Sequence, residues 1–236
     1  MSNYAYAGFW LRGLSEANML EDFRKFLELF PSSPARPGLH SLTIRAVDAA
    51  QTALLQRDFR LEPMRPDEWL EVAQEFLHDD SSYETTAFWD LWTLSRTAET
   101  WQWRLEAQPV ELVCHGPAYD DGVYQELGYF HLVAGPEHLF VGRAGLLPAH
   151  AGASSLHSLQ GRPSGLALEE ETRLVSYMSD EAHRREYLTK TQENIRRLLG
   201  WARKVERSLP VERMLLWSEG EEDFRERIES ILAAAG

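Results

Sequence analysis

The sequence has a single cysteine, Cys114. One thiol excludes an intramolecular disulfide framework and any zinc site built on a cysteine cluster. Lysine is almost as scarce: Lys25, Lys190 and Lys204 are the whole set, and arginine supplies the rest of the 24 basic side chains. That bias reads as genomic base composition and suggests a bacterial protein. Against 37 acidic residues the basic ones leave a net charge of −13. This argues against a general nucleic-acid binder, because phosphate neutralisation needs a basic surface. The acidity serves solubility or attracts a basic partner. No apolar run approaches the roughly 18 residues that span a bilayer. Met1-Ser2-Asn3-Tyr4 shows no basic region followed by an apolar one, so neither a signal peptide nor a membrane partner is expected, and cytoplasmic is the simplest compartment. Also missing are GxGxxG, a Walker lysine loop, GxSxG and HExxH, so nucleotide and hydrolase readings lack support and no cofactor is implied.

What is present is enough core for one large domain or two of about 100 residues each. Of 236 residues 44% are hydrophobic and 11% aromatic, including eight tryptophans. The pattern predicts an α+β chain. Tyr4–Arg12 reads as an aromatic strand, and Ser15 is placed to cap a helix over Glu16–Phe30 whose apolar face is Met19, Leu20, Phe23, Phe26, Leu27 and Phe30. Leu39–Val47 and Leu54–Leu61 alternate and should pair as antiparallel strands. Pro66 starts a second helix, and Tyr83–Leu94 is a strongly β-prone strand. The β-α-β-β-α-β order of residues 1–95 describes a ferredoxin-like unit, a fold that constrains chemistry very little.

Residues 96–143 read as a β-rich segment: strands at Trp101–Leu105, Val110–His115, Tyr129–Ala134 and His138–Val141, with Pro109 separating the first two. Residues 144–168 hold one charged residue, Arg162, and no period, which suggests a loop or a lid over the β-rich block. Residues 169–236 read as helix, short strand and final helix. In the long helix Leu188, Ile195, Ala202 and Leu209 recur every seven positions with Thr191, Leu198 and Val205 between them, which suits packing across a sheet. Glu21-Asp22-Phe23-Arg24 recurs as Glu222-Asp223-Phe224-Arg225. If the last strand and helix copy the first, the second half is a rearranged duplicate and the molecule has two lobes.

Three sets of residues could carry chemistry. His115, Asp120, Asp121 and His131 could supply acid–base groups, and His115, Asp120, His131 and His138 could ligate zinc, iron or manganese. Cys114 could act as a nucleophile, but neighbours on a strand point to opposite faces, so Cys114 and His115 should not pair directly. Trp89, Trp92, Trp101 and Trp103 could stack on a ligand or form a seam between halves. The basic residues late in the long helix offset its dipole. The expectation is a non-catalytic binding protein, taking a small molecule between halves or a protein partner, a second copy of the chain included. The alternative is an enzyme with a His/Asp site in the β-rich middle.

Overall fold

The computed structural model describes residues 3–97, 100–143 and 172–234. Period-two alternation becomes seven strands: β1 (Tyr4–Leu11), β2 (Ser41–Ala46), β3 (Leu55–Asp58), β4 (Ser81–Thr97), β5 (Thr100–His115), β6 (Phe130–Pro136) and β7 (Val211–Ser218). They form one sheet in the order β3-β2-β4-β5-β6-β1-β7, with every neighbouring pair antiparallel. The longer helices are α1 (Glu16–Leu29), α2 (Pro66–Gln74), α5 (Glu181–Ser208) and α6 (Phe224–Ala233). Two single turns, α3 (Tyr124–Leu127) and α4 (His138–Val141), a 3-10 turn at Tyr119–Gly122 and a helical segment at 172–177 complete the described elements.

Helix starts follow the sequence signals. Asn18 accepts the Ser15 backbone N–H at 2.8 Å, Pro66 opens α2, and the Asp180 carboxylate accepts the Ala182 N–H at 2.7 Å ahead of α5. The apolar stripes of α1, α2 and α5 lie on one face of the sheet, where Phe9, Leu42, Ile44, Tyr83, Ala87, Leu112, Cys114, Phe130 and Leu132 are buried against them. The seven-residue series of α5 is its buried seam: Leu188, Ile195, Leu198, Ala202 and Val205 are all buried. The chain is therefore a mixed α+β protein with one seven-stranded antiparallel sheet, and no described helix is long and apolar enough to cross a membrane.

Three expectations change. A ferredoxin-like unit would place β1 between β3 and β4, but here β2 takes that position and β1 lies between β6 and β7. The cause is the β4–β5 hairpin, which pairs from Ser82↔His115 to Thr97↔Thr100 and occupies the edge of β4 that β1 would need. β1 and β7, the strands ahead of the two Glu-Asp-Phe-Arg sequences, are neighbours within a single sheet and not equivalents in separate lobes. Second, Pro109 does not divide a strand. The His115 N–H donates towards β6, to Tyr129, so by alternation the position of the missing Pro109 N–H faces the same way. β6 pairs only with Glu111–Cys114, and the proline therefore costs no ladder bond. Third, His138–Val141 is a helical turn: the ladder ends at Pro136, after Gly135 (φ 103°), and Gly142 (φ 76°) stops the turn. Residues 144–168, the proposed lid, lie outside the described residues.

Candidate functional site

His115 ends β5 and His131 sits on β6, both on the face of the sheet away from the long helices, with ring centroids 5.0 Å apart. Ser82 is opposite His115, and Val113 is opposite His131. The connection from Gly116 to Gly128 folds back across this pair. It is fastened at one end by Gly116 N–H to Ser81, Ala118 N–H to Asp79 and Asp120 N–H to Val47. Asp120 and Asp121 both adopt positive φ (48° and 50°) to turn the chain. Tyr119 then stacks on His115 at 5.5 Å.

The far end of the cover lies on β1, and Gly8 makes the room: a β-carbon there would come within 2.3 Å of the Leu127 carbonyl oxygen. Gly→Ala in a compatible strand position usually stabilises a protein slightly. Gly8→Ala should instead cost about 2–3 kcal/mol in urea unfolding, since backbone cannot rotate out of the way. A neutral or stabilising result would show that the cover does not press on β1.

Burial makes this a neutral imidazole pair. His115 is 6% and His131 7% exposed; burial lowers the first to a pKa of about 4 and, helped by its neighbour, the second to about 3. Both His115 nitrogens, His131 Nδ1 and Ser82 Oγ have no hydrogen-bond partner among the described residues. Asp120 and Asp121 do not join the histidines. They border an open acidic hollow with Val47, Asp48, Ala49 and Ala50. No three His, Cys, Asp or Glu side chains among the described residues are grouped to hold a metal ion. Cys114 points the other way, into the core opposite Tyr83 and Phe130, where burial raises its thiol pKa.

The tryptophans divide. Trp89 is core, edge-on to Phe30 at 5.5 Å and to Trp201 at 6.1 Å. Trp92, Trp101 and Trp103 lie further along the β4–β5 ribbon, on the opposite face of the strands from Trp89 and Leu91. Past the reach of β2 and β6 the ribbon is free to twist, and this face comes round against the helices: Trp101 meets Tyr177 at 6.2 Å and Trp103 meets Tyr187 at 5.4 Å. Lys190 Nζ sits 3.5 Å from the Trp92 ring centre.

Asn194 of α5 secures the ribbon by accepting the Trp92 N–H and donating to the Trp92 and Leu139 carbonyls, at 2.8–3.0 Å. Between these groups lies a cavity of about 20 Å³ whose lining includes Trp92, Trp101, Trp103, His138 and Tyr187. That is room for about one water. Trp103 Nε1 is buried without an acceptor among the described residues, and burial, with Arg143 nearby, lowers His138 to a pKa of about 4. The heptad series gave no sign of Asn194. A buried polar residue among its apolar members was the available signal.

The exposed face of the sheet has two characters. Its β2–β4 side carries Ser41, Thr43, Arg45, Glu84 and Thr86, with Arg45 paired to Glu84. Its β6–β1–β7 side carries Val133, Tyr6, Leu215 and Trp217, all half-buried. Tyr6 stacks on Trp217 at 5.3 Å and donates its hydroxyl to Glu219 at 2.5 Å. Comparison with family models, curated proteins and solved structures finds no match for this chain.

Proposed function

We propose that the chain is a non-catalytic binding protein and that it holds a protein partner on the β6–β1–β7 side of the exposed sheet face. The observation that carries this is the break in polarity. An antiparallel sheet with helices on one face normally presents polar residues on the other. The β2–β4 side does so, whereas Val133, Tyr6, Leu215 and Trp217 form an apolar and aromatic strip. In a chain of net charge −13 such a strip costs solubility unless something covers it. The enzymatic reading has less support, since His115 lies beneath Tyr119 and neither His115 nor His131 is joined to a carboxylate among the described residues.

A photo-crosslinking side chain placed at Val133 should form a discrete protein adduct in native cell extract, and the same probe at Thr43 on the polar side should not. Trp217→Lys should abolish the adduct without lowering thermal stability by more than a few degrees. Equal labelling at both positions, or none at Val133, removes the reading.

A further inference from the structure

The sheet ends on β7, and no described strand pairs with its outer edge. The Glu219 N–H donates to Tyr4, which fixes the alternation along β7. Trp217, Leu215 and Arg213 turn their backbone groups to β1, while Met214 and Leu216 turn theirs outward. Edge strands are usually blunted by proline, inward charge or a bulge. β7 has its irregularity and its charges at one end, near Val211, Glu212 and Arg213, and leaves Met214-Leu215-Leu216-Trp217 bare.

We propose that β7 is the interface of a homodimer, in which two copies pair antiparallel about a twofold axis through Leu215 and their sheets continue into one. The proposal concerns the edge of the sheet beside the β6–β1–β7 face and stands apart from the protein partner proposed for that face. The register follows from the strand itself. A twofold perpendicular to the sheet pairs residues of like parity, and Met214, Leu216 and Ser218 present outward hydrogen-bonding groups. Centring on Leu215 gives reciprocal Met214–Leu216 hydrogen-bonded pairs, places Leu215 against its own copy, and sets Arg213 against the partner's Trp217 in close, non-hydrogen-bonded pairs.

Within one chain Arg213 already lies over Trp10 at 4.3 Å, and Trp217 stacks on Tyr6. The dimer would therefore join Trp10, Arg213, Trp217 and Tyr6 of alternate copies into one cation–aromatic row. Centring on Met214 would set Glu212 against buried Leu216, and centring on Arg213 would oppose two guanidinium groups.

Light scattering on the full chain should give twice 27.1 kDa. Leu215→Cys should form an intermolecular disulfide under mild oxidation, with Leu54→Cys on the far side of the sheet as the unreactive control; native Cys114 is buried and does not interfere. Met214→Pro removes an outward N–H that no described strand accepts, so it should leave the fold intact while weakening the dimer about tenfold or more. A chain that stays monomeric, or a Leu215→Cys that oxidises no faster than Leu54→Cys, overturns the dimer. If the Val133 probe still captures a different protein in that case, the binding-surface reading survives; if it captures nothing, both fall.

Discussion

Trp201→Ala is expected to destabilise the protein by about 3–5 kcal/mol, the usual range for deleting a large buried ring. Trp201 is 2% exposed, and it is where α5 meets both α1 and the sheet. Its ring lies edge-on to Phe9 of β1 at 5.5 Å, Phe26 of α1 at 5.3 Å, Phe30 at 5.9 Å and Trp89 of β4 at 6.1 Å. No smaller neighbour can swing in to fill the space, because the partners hold one another: Phe26 packs on Phe9, Phe23 and Phe130, and Phe30 on Trp89. The measurement is urea unfolding followed by circular dichroism, and the melting temperature should fall by about 10 °C for a chain of this size. Trp201→Phe should retain most of the stability, since the indole Nε1 has no hydrogen-bond partner to lose among the described residues. A loss below about 1 kcal/mol for the alanine variant would mean that the aromatic cluster is not a packing centre.

The second large effect is acid destabilisation beginning near neutrality. Free imidazoles titrate near 6.5, whereas burial holds His115 and His138 at about 4 and His131 at about 3 in the folded chain. Below pH 6.5 the unfolded chain therefore binds protons that the folded chain refuses. Stability should fall as pH drops from about 6.5, with the His115 and His138 contributions flattening below about 4 and that of His131 below about 3, and with a slope of up to about 1.4 kcal/mol per pH unit for each histidine involved. Exposed ion-paired carboxylates such as Asp58 and Glu68, lowered by their arginine partners, lose stability in the same direction but only at lower pH. The interval from 6.5 to 5 is thus diagnostic of the histidines. His131→Gln should reduce the slope in that interval, and hydrogen exchange in Gly116–Gly128 should rise first, because a protonated His115 would lie directly under Tyr119. A flat stability profile between pH 7 and 5 would show that the pair is hydrated or already charged.

Local order was largely readable, and the way strands met was not. The helix over α1, its Ser15 start, the Pro66 start of α2 and the heptad seam of α5 all follow from short-range capping and period. β2 and β3 paired as expected because a short connection joins them. The position of β1 depends instead on which edges remain after β4 and β5 have zipped together, a competition that no local pattern records. The same holds for the candidate residues. His115 and His131 do meet, because adjacent strands bring them together. Asp120 and Asp121 sit only five and six positions after His115, yet the left-handed turn at those two aspartates sends them towards Asp48. Trp89 and Trp92 are three residues apart in one strand, and ribbon twist assigns the first to the core and the second to a separate cavity.

Placing β1 between β6 and β7 also has a consequence for the order of events during synthesis. The two strands that flank β1 come from the middle and the end of the chain; Tyr6 and Glu219, joined by a hydrogen bond, are 213 residues apart in sequence. The β4–β5 hairpin can zip within microseconds of leaving the ribosome, but the first strand made must wait for the last before both of its edges are satisfied. Such long-range closure slows folding. During that wait Phe9, Ala5 and Ala7 have nothing to face, so the nascent chain is most vulnerable to aggregation at β1 until β7 has been made.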